Sequence, residues 1–126
     1  MNEAPELQHF FTEPGYGYGS LLGECGFLIS VASINFRLGR EYFEAGQRQE
    51  TGKLVAMQRE LVELTSALIA SVGDAAHMDG AYDKMFCKIH DPQYPLRLLP
   101  PYAAFSDETF ENFLKLVREK FPRWLE

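Results

Sequence analysis

The chain has 126 residues, of which 46% are hydrophobic and 24% are charged, a composition typical of a single globular domain and not of a disordered chain. Its formal net charge is -6 and its lysines and arginines form no cluster, so we expect no nucleic-acid partner. Because it has no apolar run of roughly 18 residues, no signal-peptide pattern and only two widely separated cysteines, we expect a cytoplasmic protein without a membrane partner.

The first half of the chain shows one glycine-rich segment and one apolar segment. Thr12 to Gly19 holds three glycines and a proline, a composition that predicts a flexible loop. Phe27 to Phe36 is nearly all apolar or small, which is typical of a strand buried on both faces of a parallel sheet. Such a strand requires neighbours for its backbone groups. Either those neighbours lie elsewhere, or the strand prediction is wrong.

After Phe36 the pattern is helical. We predict four helices, at about residues 38–46, 51–72, 80–89 and 106–121. The second carries an apolar stripe with spacings of three and four residues: Leu54, Met57, Leu61, Leu64 and Leu68. Val55, Val62 and Ile69 widen this stripe, so we predict a helix with a broad buried face. Before the last helix, prolines between residues 92 and 104 indicate an extended connector. Ser106 is an N-cap, and Phe105 with Phe110 form a hydrophobic staple.

This order of elements and four short motifs resemble the C-terminal portion of the dihydrodipicolinate synthase / N-acetylneuraminate lyase family. The segment GFLISVASINF looks like the family's eighth barrel strand, and Glu44 to Lys53 looks like the end of the eighth outer helix and the start of the next. Leu96 to Pro101 resembles the family's connector, and Ser106-Asp107-Glu108 resembles the start of its final helix. Asn2-Glu3 would lie just past the seventh strand.

The resemblance implies an α/β fold, with the last strand and outer helix of a (β/α)₈ TIM barrel followed by a helical C-terminal tail. Residues 1–48 would be the end of the barrel and residues 49–126 the C-terminal helical region, so that this chain is itself mostly α-helical. The distance from Asn2 to Ile29 exceeds the family's usual one, so the glycine-rich loop from Thr12 to Gly19 looks like an insertion.

The resemblance also implies a function. Family members bind pyruvate or another 2-oxo acid as a Schiff base on a lysine after strand six, and a tyrosine after strand five relays protons. Both positions precede residue 1, so we expect no catalytic residue here and no activity of this chain alone. Substrate-binding positions carried by this chain would be Asn2, Glu3, Ile29 and Ser30, although Ile29 fits a purely structural core position as well. We expect a homo-oligomer that uses no cofactor and no metal.

Other residues that could carry chemistry have simpler interpretations. Lys84 and Lys88 share one helix face beside acidic residues and are expected to be solvated. His77, His90 and Asp91 lack metal-ligand spacing. The alternative to the enzyme fragment is a self-standing small helical module for binding or oligomerisation, in which residues 27–36 belong to a helix or to an exchanged strand.

Overall fold

The computed structural model describes residue 4, residues 6–73 and residues 77–126. The described residues are mostly helical, as predicted, and form five α-helices with two very short strands. In chain order these elements are β1 (Phe10–Phe11), α1 (Glu13–Leu22), β2 (Gly26–Phe27), α2 (Phe36–Gln47), α3 (Thr51–Val72), α4 (Asp79–His90) and α5 (Asp107–Lys120).

β1, α1 and β2 form a parallel strand–helix–strand unit. The amide of Gly26 donates to the carbonyl of His9 at 2.7 Å, and the amide of Leu28 donates to the carbonyl of Phe11 at 2.9 Å. Parallel neighbours need a long crossover, which α1 supplies. Among the described residues the sheet has only these two strands, so each strand keeps one edge without a neighbouring strand.

The predicted strand from Phe27 to Phe36 is wrong beyond its first residue. The chain turns after Leu28 and forms a 3₁₀ turn at Val31–Ser33, and Asn35 then caps α2 by accepting a hydrogen bond from the Leu38 amide at 3.0 Å. Only part of the apolar character reflects burial in this chain, because Val31 and Ile34 are 4% and 1% exposed but Leu28 and Phe36 are 56% and 70% exposed. Short polar residues next to these apolar ones favour turns and caps over a continuous strand.

The predicted loop from Thr12 to Gly19 is also wrong, because Glu13–Leu22 is a helix. Thr12, Glu13 and Pro14 suit a helix start, where an acidic side chain and a proline are favourable. The glycines permit close packing: a Cβ on Gly19 would lie 2.5 Å from the Phe11 ring. They therefore let α1 approach its neighbours and do not make the segment flexible.

α3 is the central helix, and α1, α2 and α5 pack against it. Its predicted apolar stripe is confirmed, since Leu54, Met57, Leu61, Leu64 and Leu68 are all buried. The predicted widening of the buried face is wrong, because Val55, Val62 and Ile69 are 54%, 43% and 56% exposed. One hydrophobic core contains this stripe together with other buried side chains. These come both from residues 1–48, predicted as the end of the barrel, and from residues 49–126, predicted as the C-terminal helical region. No helix among the described residues is long and apolar enough to cross a membrane.

α4 and α5 are joined by the proline-rich connector, which Lys88 fixes in place. The Lys88 ammonium donates to the carbonyls of Pro92 at 2.9 Å and Tyr94 at 3.3 Å, and its side chain is only 14% exposed. The predicted cap of α5 is confirmed, because the Ser106 hydroxyl accepts from the Thr109 amide at 3.1 Å. The predicted staple is consistent with the structure, in which Phe105 and Phe110 are both buried.

A second 3₁₀ turn at Pro122–Leu125 ties the end of the described chain to α2 and α3. The Trp124 side chain is 1% exposed, and its indole nitrogen donates to Glu60 at 3.1 Å. The Asn35 amide nitrogen donates to the Trp124 carbonyl at 3.4 Å. Arg123 pairs with Glu41 and with Glu60, each at 3.2 Å. This turn therefore braces the residue that caps α2.

Candidate functional site

The segments that follow β1 and β2 meet at the carboxyl ends of the two strands. Glu13 comes two residues after β1, and Ser30 comes three residues after β2. The Glu13 carboxylate accepts hydrogen bonds from the backbone amides of Ser30 at 2.7 Å and Val31 at 3.2 Å. Active sites of parallel α/β folds lie at this end of the strands. The contact is therefore the natural starting point for a functional site.

Glu13 is held at both its side chain and its backbone. As the first residue of α1, it sits where the helix dipole favours a negative charge. The two amides that it binds open a 3₁₀ turn, where such groups have no partner within the turn itself. The Tyr42 hydroxyl donates to the Glu13 carbonyl at 3.1 Å. Glu13 therefore acts as a bridge between the two strand ends, engaged by backbone groups.

A cavity of about 390 Å³ adjoins this bridge. Its walls combine acidic, hydroxyl and aromatic groups from α1, α3, α4 and the segment after β2: Glu13, Ser30, Val31, Thr65, Leu68, Ile69, His77, Asp79, Tyr82 and Phe86. Nearby, burial raises the pKa of the Asp83 carboxyl, and the charges of Asp79 and Glu13 raise it further. The neighbourhood is thus electronegative and suits a polar or cationic group better than an anion.

The predicted substrate-binding residues do not come together as one site. Asn2 and Glu3 lie outside the described residues. Ser30 lines the cavity beside Glu13. Ile29 instead lines a separate apolar groove of about 370 Å³, together with Phe27 and Phe36. The structure therefore joins Ser30 to a residue that the sequence reasoning missed, and places Ile29 elsewhere.

The sequence analysis does not predict Glu13 as a site residue, because the glycines that follow it favour a loop. The sequence did contain a usable signal: a threonine, an acidic residue and a proline at positions 12 to 14 are a common helix start. A helix beginning there, directly after one strand, would have put an acidic side chain at the carboxyl end of that strand. The partner amides at Ser30 and Val31 could not be inferred, because they depend on the turn that follows β2.

The buried tyrosines are structural and are not poised to relay protons. The Tyr16 hydroxyl donates to the Phe43 carbonyl at 2.6 Å, and burial, followed by the nearby Cys25 thiol, raises its pKa to about 12. Burial likewise raises the pKa of Tyr42 to about 12. At neutral pH both phenols therefore stay protonated and act as hydrogen-bond donors to backbone carbonyls.

The lysines of α4 bind backbone carbonyls of the connector. Lys84 donates to the Pro95 carbonyl at 3.3 Å, and its ammonium lies 5.2 Å from the centre of the Tyr94 ring. The expectation that Lys88 is solvated is wrong, because its side chain is 14% exposed and its ammonium contacts two carbonyls. Both amines therefore bind the backbone of the connector, and neither lines the cavity beside Glu13.

The histidines also have structural neighbours. The Nε2 atom of His90 lies 2.9 Å from the Ser33 carbonyl oxygen and 3.0 Å from that of Ile34, which holds the turn after β2 against α4. The ring of His77 lies against that of Phe105, with 4.0 Å between the ring centres and 31° between the ring planes. Within the described ranges, no group of three or more histidine, cysteine, aspartate or glutamate side chains is placed to hold a metal ion.

Comparison with known proteins identifies no relative. No protein-family model matches the chain, and no curated protein or solved structure matches it significantly. The resemblance to the dihydrodipicolinate synthase / N-acetylneuraminate lyase family therefore depends on the sequence of this chain alone.

Proposed function

We propose that this chain is the C-terminal part of a (β/α)₈-barrel lyase that forms a Schiff base with a 2-oxo acid, as in the dihydrodipicolinate synthase / N-acetylneuraminate lyase family. In this proposal β1 and β2 take the places of the seventh and eighth strands, with α1 and α2 as their outer helices. Asn2 and Glu3 would then precede the seventh strand in the sequence, and not follow it as the motif comparison predicts. The helices from α3 onward form the C-terminal region. The catalytic lysine and tyrosine lie upstream, so the chain alone is inactive.

The observation that carries the proposal is the parallel unit formed by β1, α1 and β2. Parallel sheets occur almost only as parts of larger sheets with both faces covered, and two short strands are not stable by themselves. Large apolar side chains near these strands are exposed: Phe10 by 55%, Leu28 by 56% and Phe36 by 70%. Further barrel strands and helices would cover them and would pair with the free strand edges.

The position of the bridge between Glu13 and Ser30 supports the same proposal. It lies at the carboxyl ends of the strands, where barrel enzymes bind their substrates. In the complete barrel Glu13 would fix the segment after the eighth strand, and the Ser30 hydroxyl would face the uncharged end of the substrate. The carboxylate of the 2-oxo acid would be bound by upstream residues, away from Glu13 and Asp79. The proposal also includes a cytoplasmic location and a homo-oligomeric state. The enzyme would act on a 2-oxo acid without a cofactor.

Trapping of the covalent intermediate tests the chemistry. The longer polypeptide, defined by the reading frame upstream of Met1, is incubated with pyruvate and borohydride and its mass is measured. We expect one reduced pyruvate adduct on an upstream lysine and none on the 126-residue chain treated in the same way. Borohydride without pyruvate is the control. An upstream frame without a barrel-strand lysine, or a full-length protein that gains no adduct, would contradict the proposal.

A second candidate function is a self-standing helical module for binding or oligomerisation. It is favoured by the single hydrophobic core, in which Tyr42, Leu61, Met85, Phe113 and Trp124 are almost completely buried. A thermal melt of the isolated chain separates the two candidates. If the isolated chain is stably folded and melts cooperatively, the module is favoured. If it aggregates, and an upstream fragment prevents the aggregation, the barrel is favoured.

A further inference from the structure

The cavity of about 390 Å³ beside Glu13 combines acidic, aromatic and aliphatic walls. Asp79 from the start of α4 is its second acidic residue, Tyr82 and Phe86 contribute aromatic rings, and Ile69 belongs to its aliphatic part. Small-molecule sites in proteins are mostly apolar clefts of roughly 300 to 1,000 Å³ with a few polar groups. The cavity therefore has the size and the composition of a site for one compact organic ligand.

The negative charge around this cavity has no cationic partner in the described part of the chain. Asp79 forms no ion pair there, and neither lysine nor arginine lines the cavity. Both hydrogen bonds to the Glu13 carboxylate end on its Oε1 atom, so its Oε2 atom accepts none from the described residues. The charge also reaches Asp83, because burial raises the pKa of that carboxyl and the charges of Asp79 and Glu13 raise it further. A bound cation would relieve this repulsion.

The first two turns of α4 place a carboxylate and two aromatic rings on one face. Asp79, Tyr82 and Phe86 follow one another at three and four residues, the spacing of neighbours on a helix surface. The Tyr82 ring lies edge-on to the Phe105 ring with 5.0 Å between their centres, and Phe86 is 2% exposed. Rings that are already packed lose little freedom when a ligand binds. Aromatic rings attract cations and are the usual recognition surface for alkylated ammonium groups.

Other classes of ligand fit this cavity less well. Within the described ranges no group of three or more histidine, cysteine, aspartate or glutamate side chains is placed to hold a metal ion. An anion would meet the charges of Glu13 and Asp79, and an uncharged molecule would gain nothing from them. An organic cation uses both parts of the wall, because its charge is attracted by the carboxylates and its alkyl groups pack against the apolar side chains.

We propose that this cavity binds a compact organic ammonium ion at its α4 end, with the charge beside the Asp79 carboxylate and the alkyl groups against the Tyr82 and Phe86 rings. Glu13 adds a second negative charge nearby. This ligand is separate from the 2-oxo acid of the proposed function, because the acidic residues would repel the carboxylate of a 2-oxo acid. The inference does not rest on that function, since every residue that it uses belongs to this chain.

Choline and its uncharged isostere, in which a tert-butyl group replaces the trimethylammonium group, test the need for a positive charge. The two molecules have nearly the same shape, so a difference in affinity reports the charge. Calorimetric titration is made on the 126-residue chain, or on the longer polypeptide if only that form is stably folded. We expect choline to bind with a Kd in the millimolar range or below, and the isostere to bind about tenfold more weakly. Nuclear magnetic resonance should show that choline shifts the amide signals of Ile69 and Tyr82.

Substitutions on α4 test the position of the ligand. Asp79→Asn should weaken choline binding about tenfold, because it removes the carboxylate beside the charge. Glu108→Gln is the matched control, since Glu108 is also an exposed acidic residue in the first turn of a helix but does not line the cavity. Tyr82→Phe keeps the ring and should bind choline as the unmodified chain does, whereas Tyr82→Leu should bind it several-fold more weakly. Asp79 is exposed, so its substitution decides the test even if Tyr82→Leu does not fold.

Three results would overturn the proposal. They are no binding of choline at tens of millimolar, equal affinities for choline and its isostere, and equal affinities of Asp79→Asn and Glu108→Gln for choline. The outcome is distinguishable from that of the proposed function. Absence of a pyruvate adduct on the longer polypeptide would leave choline binding unchanged, and absence of choline binding would leave the adduct unchanged.

Discussion

Glu13 and Ser30 are 17 residues apart in the sequence, yet a carboxylate oxygen of Glu13 lies 2.7 Å from the amide nitrogen of Ser30. The same oxygen accepts from the Val31 amide at 3.2 Å. Hydrogen bonds to a charged acceptor are stronger than those between neutral groups. This pair of bonds fastens the segment after β2 to the start of α1, and so fixes the shape of the cavity between them.

Removal of the Glu13 carboxylate should loosen that segment. We expect Glu13→Ala to lower the free energy of unfolding by about 1 to 2 kcal/mol, because two backbone amides lose a charged acceptor. Glu13→Gln keeps an acceptor oxygen without the charge and should cost less. Urea denaturation measures the stability, and hydrogen exchange of the Ser30 and Val31 amides reports the local effect.

Glu24→Ala is the matched control for this experiment, because Glu24 is an exposed acidic residue in the turn between α1 and β2. It should change stability by less than about 0.5 kcal/mol. Equal protection of the Ser30 and Val31 amides in Glu13→Ala and in the unmodified chain would show that the carboxylate does not hold this segment.

A methyl group at Gly46 should destabilise the protein. A Cβ there would lie 2.5 Å from the Tyr16 hydroxyl, which is hydrogen-bonded to the Phe43 carbonyl, and Tyr16 is only 1% exposed. We expect Gly46→Ala to cost about 2 kcal/mol, despite the higher helix propensity of alanine. Gly52→Ala is the control: nothing lies within 4 Å of its Cβ position, so stability should stay equal or rise. Thermal or urea unfolding of both variants decides the comparison.

Loss of the Lys88 ammonium should loosen the connector between α4 and α5. Lys88→Met keeps most of the apolar stem but leaves the carbonyls of Pro92 and Tyr94 without their donor. We expect a loss of about 1 to 3 kcal/mol in unfolding free energy and faster proteolysis within residues 91–106. Lys115→Met serves as the control, because the Lys115 side chain is 75% exposed. Similar stabilities of the two variants would mean that the contacts of the Lys88 ammonium with Pro92, Tyr94 and Asp107 contribute nothing.

Stability should fall in alkaline solution as the buried tyrosines titrate. The pKa of Tyr16 and that of Tyr42 rise from 10.0 to about 12, so folding favours the neutral phenols. Their contribution is complete below pH 10 and is lost as the pH rises toward 12, because the unfolded chain releases these protons first. Ultraviolet titration should show two of the six tyrosines ionising late. Tyr16→Phe and Tyr42→Phe should each remove one late-ionising tyrosine. Ionisation of all six tyrosines at the same pH would contradict the assignment.

The long helices could be predicted because their signals are local. The leucine stripe of α3 and the cap at Ser106 need only the spacing of nearby residues, and both are confirmed. For the same reason, the prediction that the chain is mostly helical is confirmed for the described residues.

Elements that depend on distant contacts could not be predicted in this way. The glycines of α1 look like loop residues until Phe11 and Tyr42 are known to lie against them. The length of β2 depends on Glu13, because the amides of Ser30 and Val31 donate to its carboxylate and not to a neighbouring strand. The candidate site is the hardest part to predict, because it depends both on the packing of α1 and on the contacts of the segment after β2. Of its residues, the sequence identifies only Ser30.

The turn at Pro122–Leu125 also constrains when the protein can finish folding. The Asn35 side chain caps α2, but the carbonyl that it binds belongs to Trp124, 89 residues later. On the ribosome, α2 and α3 emerge long before that residue is synthesised, so a nascent chain holds them without the indole that fills their core. Formation of the core around α2 and α3 therefore waits for Trp124, and chains released before this residue expose apolar surface for chaperones to bind.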